Sequence, residues 1–419
     1  MSAGLANRRV VVTGIGVVTA VGHELDEFWN AVVEGRSGAG PLTRFQVGEL
    51  PTQIACEVGD LKVAHFIDPK KAKRFERSVR HGLIAARLAV MDADIELTGL
   101  EPDRAAVVDG ASVGGMESSF KGQIAFENKG FRSMSPFTLI NSYAGGGSAE
   151  VAIELGVEGP AITIGSGSCA STDAIGQARS MIVADEVDMV LAGGSEAPLL
   201  GPLFGAFCLA KAMSTRNDEP AKAMRPFDQG RDGFVLGEGA AYLVLEELSH
   251  AVARGARVYA ELAGYGTTCE AHHSVTPHPD GIGMSRMIRK VLRQARMDST
   301  DLQYINLHGA ASDAHDPAET SGVKLALGPQ ARRLSASATK PVTGYALGAA
   351  GAIEAAITSL AIHRQVIPPT INFEEAAPGC DLDYVANEAR PYPLTTALSV
   401  NAGFGGRYSG LAFRRCEAR

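Results

Sequence analysis

Short β-branched apolar runs that end in glycine, each followed by a longer helix-like stretch, constrain this chain most. The runs are VVVTGIGVVTAVG (10–22), AAVVDGASVGG (105–115), MVLAGGSEA (189–197), YAELAGYG (259–266) and ALSVNAGFGG (397–406). Between them lie helix-like segments near 69–93, 139–155, 170–184, 284–296, 316–326 and 347–363. Strand-then-helix alternation of this kind predicts an α/β layered fold, with glycines at strand ends where the chain turns. A length of 419 residues accommodates two domains or one large duplicated body. Two segments echo one another: SGSCASTDAIGQA (166–178) and TGYALGAAGAIEA (343–355) are both small-residue turns feeding apolar helices. A composition shift at SHAVARGAR (249–257) marks the expected junction between halves.

Charge and cysteine usage remove several function classes. The formal net charge of −8 argues against general nucleic-acid binding, while leaving room for a local basic patch facing an acidic partner. The six cysteines are scattered with no CxxC pair, which points to a reduced, cytoplasmic compartment with neither a disulfide framework nor a zinc site. The N-terminus has no signal-peptide pattern, and the longest apolar stretch (346–363) is interrupted by Glu354, so it reads as a buried helix.

Nucleotide motifs fail on inspection. GIGVVT (14–19) lacks the third glycine of a dinucleotide fingerprint, and GAAG (348–351) has neither a preceding GxG nor a GK[ST]. Close helix packing is the better account of the second. Cys269, His272, His273 and His278 crowd one loop without the ordered spacing of a zinc site. Cys169 carries more information. It sits between a strand-like run and a helix, where unpaired N–H groups and the positive helix end favour thiolate over thiol. A small buried cysteine filling a gap is the plainer alternative. His308 and Lys340 also fall at strand-end turns, and with Cys169 they compose a plausible thiolate site.

At these residues the chain resembles a known family. VVVTGIGVVTAVG, GPAITIGSGSCAS, MSTRNDEPAKAMRPFDQGRDGFVLGEGAA, INLHGAAS, TKPVTGYALGAAGAIEA, VIPPTINFE and NAGFGG, in order from about residue 8 to 415, resemble the elongating β-ketoacyl-acyl-carrier-protein synthases. The resemblance implies the thiolase fold, two αβαβα halves (1–255 and 256–419) forming a five-layered core, as a homodimer or a heterodimer with a related ketosynthase subunit. It implies a decarboxylative Claisen condensation: an acyl chain moves from a carrier protein's phosphopantetheine to a cysteine, and a malonyl-derived carbanion attacks it. No cofactor or metal is implied beyond the carrier-borne substrates.

Carried over by position, Cys169 is the nucleophile and His308 the first histidine, with Lys340 and Glu319 in support and Phe404 as gate. The backbone N–H groups of Cys169 and Phe404 would form an oxyanion hole. Val113, Phe137, Glu270, Ala310, Ser312 and Gly405 would bind substrate. Lys70, Lys71, Arg74, Lys129, Arg132 and Lys211 would dock the acidic carrier, the first three within a basic helix-like segment that also holds Lys73, Arg77 and Arg80. A solvated helix face is the bland reading of that segment.

Three departures stand out. Tyr345 replaces the family's second catalytic histidine, Gly309-Ala310-Ala311-Ser312 replaces a threonine-rich turn, and GFGGRY replaces a GFGGTN-like ending, introducing Arg407 and Tyr408. A phenol can donate a hydrogen bond to a thioester oxygen but is a poor general base near pH 7. The expectation is therefore a condensing enzyme with an atypical site. The alternative is a chain-length-factor-like partner subunit, and an acyltransferase or hydrolase on the same scaffold is a third reading.

Overall fold

The computed structural model describes residues 8–99 and 101–416. Ten strands form one continuous sheet. In the first half they are β1 (Val10–Val18), β2 (Ala105–Gly110), β3 (Ala161–Ile164), β4 (Met189–Glu196) and β5 (Gly239–Glu247). In the second half they are β6 (Ala260–Cys269), β7 (Tyr304–Asn306), β8 (Ser335–Ser337), β9 (Thr396–Gly403) and β10 (Arg407–Arg414). The spatial order is β8-β7-β9-β10-β6-β1-β5-β4-β2-β3. Each half thus runs third-second-fourth-fifth-first, with its first three partnerships parallel or antiparallel in the same places. β2 pairs parallel with β3 and β4, as β7 does with β8 and β9. The halves meet where β1 pairs antiparallel with β6 through Val11–Glu261 and Val12–Ala260. The echo between 166–178 and 343–355 is therefore the trace of a duplicated fold.

Helices complete the layers. Helices α1 (Arg77–Ala93) and α2 (Gly146–Leu155) cover the outer face of the first half, and α4 (Ile282–Ala295) and α5 (His315–Leu327) that of the second. Between the halves lie α3 (Ala170–Val183) and α6 (Ala350–Arg364), packed against each other and against strands of both. From Ala350 to Ile362 every residue of α6 is buried, as a helix apolar on all sides must be. Its small residues serve the close approach. A methyl added at Gly351 would lie 2.9 Å from the Thr172 backbone nitrogen of α3, so the two helices cross without room for a side chain. No helix among the described residues is long and apolar enough to cross a membrane.

Two expected helices are broken. The 69–93 segment divides into Pro69–Ala72 and α1, because the buried Glu76 carboxylate turns to accept the N–H groups of Gly115 and Ser118. The 139–155 segment divides into Thr138–Asn141 and α2 across residues 142–145, and α2 opens directly on the glycines that follow, which favour a turn over a continuous helix. The other four expected helices stand within a few residues of their ranges, the last opening with a 3-10 turn at Leu347–Ala349.

Candidate active site

The turns that follow strands of both halves converge on one cavity of about 670 Å3. From the first half come Gly167 and Ser168, after β3. From the second come His308 and Ala310–Ser312 after β7, Tyr345 ahead of α6, and Gly403–Gly405 after β9. Carboxyl ends of strands are where α/β folds place ligands, because the diverging chain leaves a crevice there.

Four buried polar groups surround His308. Its backbone N–H donates to Glu319 Oε1 at 2.7 Å, and the Gly309 N–H donates to Glu319 Oε2 at 2.9 Å. Burial pushes the Glu319 carboxyl up to about 8, so this carboxyl fixes the turn that presents the imidazole. Lys340 Nζ donates to the His308 carbonyl at 2.5 Å and pairs with Glu354, both side chains being essentially inaccessible. Asn401 Nδ2 donates to Glu354 Oε2 at 2.8 Å, while Asn401 Oδ1 lies 3.4 Å from His308 Nδ1. The imidazole pKa is driven well below its ordinary value, first by burial and then by the Lys340 charge. His308 is therefore neutral near pH 7. The two neighbours of Nδ1 pull opposite ways: Asn401 Oδ1 accepts a hydrogen bond from it, whereas Lys340 Nζ, also at 3.4 Å, can only donate to it. Asn401 was not singled out from the sequence, and Glu354 was noted only as the charge interrupting an apolar stretch, not as part of the site. The signal that could have found Glu354 is its isolation as the one charge inside an otherwise apolar helix.

Tyr345 stands beside this network. Its ring meets the His308 ring edge-on at a centroid distance of 5.4 Å, and Lys340 Nζ lies 5.3 Å from its centroid. The phenol donates to Ser168 Oγ at 2.5 Å. Burial raises its pKa above that of an ordinary tyrosine, so the proton stays on the oxygen.

Cys169 is more enclosed than the sequence alone indicates. It heads α3 as anticipated, but its thiol is fully buried and directed to the Asn401 and Arg407 carbonyls, at 3.6 and 3.7 Å. Burial and then the Asp173 charge push the thiol pKa up, outweighing the helix end and the nearby Arg407. The residue that faces the cavity is the preceding one, Ser168, half-buried and reached by Tyr345. Gly167, at φ +68°, sets the turn that presents it. Neighbouring residues at a helix start point about 100° apart, so Ser168 and Cys169 turn different faces toward the cavity, and the thiol lies behind its wall at Gly403.

Among the expected substrate-binding residues, Val113, Ala310, Ser312 and Gly405 line the cavity. Phe137 does not; it lies under the Arg74 guanidinium, 5.3 Å from its centroid. Glu270 instead accepts from the Tyr408 hydroxyl and the His278 N–H, at 3.1 and 2.9 Å. Phe404 is half-exposed at the cavity wall. Arg407 also lines it, without an acidic partner within 4 Å among the described residues. Of the basic residues, Lys70, Lys73, Arg74, Lys129 and Arg132 are exposed, and Lys211 is exposed at the cavity itself. Lys71 is engaged with Glu154 at 2.8 Å. Arg77 and Arg80 leave this surface: Arg77 turns inward toward Glu238 and Glu117, and Arg80 is largely desolvated beside them. Among the described residues no cluster of three or more histidine, cysteine, aspartate or glutamate side chains could hold a metal.

Comparison with known proteins agrees with this architecture. Residues 7–251 match the β-ketoacyl synthase N-terminal domain and residues 259–374 its C-terminal domain. The chain is 40% identical over 415 residues to a 3-oxoacyl-[acyl-carrier-protein] synthase 2 of Synechocystis sp., covering 99% of this chain and 100% of that protein. Among solved structures it is similar to the ishigamide ketosynthase/chain length factor, with a TM-score of 0.91 and 32% identity over 98% of this chain and 100% of that one. It is also similar to a type II polyketide acyl-carrier protein in complex with its ketosynthase bound to the hexaketide, with a TM-score of 0.88, 31% identity and the same coverage. With both domains matched in order and a relative aligned end to end, the chain belongs to the β-ketoacyl synthase family.

Proposed function

We propose that the protein is a carrier-dependent condensing enzyme of the 3-oxoacyl-acyl-carrier-protein synthase type. It takes an acyl group from a phosphopantetheine thioester and joins it to a malonyl unit with loss of CO2, in fatty-acid or polyketide assembly. The observation that carries this reading is the convergence of His308, the Ser168 turn, Tyr345 and Phe404 on one cavity drawn from both halves of the chain. In it, His308 accepts a proton or donates a hydrogen bond to the thioester oxygen, held by the Glu319 carboxyl and by Lys340 with Glu354. Tyr345 supplies a neutral donor where the family has its second imidazole. Backbone N–H groups at the start of α3 and at Phe404 stabilise negative charge on the acyl oxygen, and Phe404 gates the cavity. The chemistry needs no cofactor, since the carbanion comes from decarboxylation. The repeated strand order supports dividing the chain into halves at 255/256.

The partner that delivers substrate is an acidic carrier protein, docking on Lys70, Arg74, Lys129, Arg132 and Lys211 around the cavity's approach. A second subunit, identical or related, covers the exposed apolar surface that includes Leu139 and Ile162. A chain-length-factor-like partner role is the second reading, favoured by one observation: a phenol, Tyr345, stands beside His308 in the cavity where the family has its second imidazole. The test is to supply the isolated protein with acyl and malonyl carriers and follow the products by intact mass. A condensed product is expected; product formed only after a second synthase is added would establish the partner role.

A further inference from the structure

We propose that the Arg407 guanidinium seats the carboxylate of the malonyl unit and so selects the extender that this site condenses. The inference rests on the carrier-dependent condensation proposed above and names the residue that recognises one of its two substrates. Arg407 opens β10 and lines the cavity with its side chain exposed. Its backbone is tied to the start of α3, because the Cys169 thiol lies 3.7 Å from the Arg407 carbonyl. Its head reaches the turn that precedes the thiol: a methyl added at Gly167 would lie 4.0 Å from Nη1. The charge is felt at the Cys169 sulfur, where it favours thiolate against the larger effect of burial.

The other charges of the cavity leave this cation open. Two carboxylates line it, and both are engaged. Asp232 accepts the Thr215 N–H at 3.0 Å and lies 3.9 Å from the Arg216 guanidinium, while Asp313 lies 3.3 Å from Arg231. Among the described residues the Arg407 guanidinium forms neither an ion pair nor a hydrogen bond. Lys211, the other permanent cation of the lining, belongs to the wall of residues 210–212 and lacks the planar fork that grips both oxygens of a carboxylate. An alkanoyl chain offers such a fork nothing. A malonyl unit carries its carboxylate one methylene from the thioester carbonyl. With that carbonyl oxygen beside Tyr345 and the methylene facing Cys169, the carboxylate falls at the Gly167 turn. A seat of this kind holds the ground state. As CO2 leaves, the electron pair of the breaking C–C bond passes into the thioester, and negative charge moves from the guanidinium to the thioester oxygen. Arg407 therefore favours bound malonyl more than the transition state, which raises affinity without speeding the chemical step.

The test uses two carriers joined to their acyl groups through an amide, one malonyl and one acetyl, so that neither is consumed. Their dissociation constants with the full chain are measured by calorimetry. Wild type should bind the malonyl carrier about tenfold more tightly than the acetyl carrier. Arg407→Met should abolish that preference without changing acetyl binding, and Arg407→Lys should restore part of it. With thioester carriers, Arg407→Met should raise the malonyl KM by a similar factor, leave the acyl KM alone and not lower kcat. Circular dichroism and melting that match wild type exclude loss of fold as the cause. Equal affinity of wild type for the two carriers overturns the seat, as does a malonyl preference that survives Arg407→Met. An equal loss for both carriers overturns it too, by making Arg407 a contact of the carrier itself. A preference that depends on Arg407 in a protein that forms no condensed product leaves the seat standing and overturns condensation alone.

Discussion

The hydroxyl of Tyr345, held on Ser168 beside His308, is the neutral donor where the family has a second imidazole, so its deletion should be felt where charge grows on the malonyl thioester oxygen. Tyr345→Phe removes the donor and keeps the ring that packs on His308 and Phe234. Loss of one preorganised donor typically costs about a hundredfold in rate. Condensation with a malonyl carrier should fall by about that factor with little change in melting temperature, and an unchanged rate would show that the phenol only packs. A second prediction concerns Glu196, fully buried at the end of β4. It accepts from the Ser112 and Val113 N–H groups, and burial pushes it up to about 8. A carboxyl whose folded pKa lies above its unfolded value binds more proton when folded. Its contribution is therefore full below about pH 4.5 and is lost as pH rises through about 8. Glu196→Gln should flatten the fall in melting temperature across that window; equal slopes would mean that Glu196 is ionised throughout. Legibility at this scale follows exposure to chemistry. His308 and Lys340 were readable as polar groups at strand-end turns, because a charged or polar residue there has few other uses, whereas Glu319, inside α5, was reached only through the family resemblance. The enclosure of the Cys169 thiol was not legible, because it depends on how the strand-end turn at Asn401 closes over one helix start.

Elements carry the next set of consequences, beginning with the crossing of α3 and α6. Gly351→Ala would drive a methyl against the Thr172 backbone, which cannot yield without parting the two central helices. Overpacking of this kind destabilises by about 1–3 kcal/mol. A lower urea midpoint at constant slope is expected, and an unchanged midpoint would show that the helices can separate freely. The four-residue helix Pro69–Ala72 and the turn after it present Lys70, Lys73 and Arg74 outward. Charge reversal at Lys70 and Arg74 should weaken carrier binding at low salt and matter little at high salt, as exposed charges are screened. Equal affinity at low salt would exclude this surface. The layered α/β class was legible because strand-end glycines and apolar runs are local signals. The breaks at 73–76 and 142–145 were not local: one follows from Glu76 bonding to a turn some forty residues away. Arg77 and Arg80 were likewise read as surface charge from their neighbours in sequence, while Glu117 and Glu238 draw them inward.

At the scale of the whole molecule the duplicated sheet ends unequally. β8 closes one end in the second half, covered on both faces with every residue buried. β3 closes the other with Ala161 and Ile162 exposed and one backbone edge unpaired. An open apolar strand edge is a site for pairing with another chain unless something blunts it, and no charge or proline lies within β3. Ile124, Phe126, Phe131, Leu139, Ile140, Tyr143 and Ile153, from the segments preceding β3, are also exposed. So much exposed apolar surface is unusual on a monomer and marks an interface. The duplication explains the asymmetry, since the two halves share strand order but only the first leaves its terminal edge bare. Ile162→Lys puts a charge on that edge without disturbing the buried sheet. By sedimentation, wild type should behave as a dimer and the variant should shift toward monomer with its far-ultraviolet circular dichroism retained. A wild type that is monomeric alone and dimeric only with a related synthase would assign the same edge to a heterodimer. A variant that stays dimeric would place the interface elsewhere.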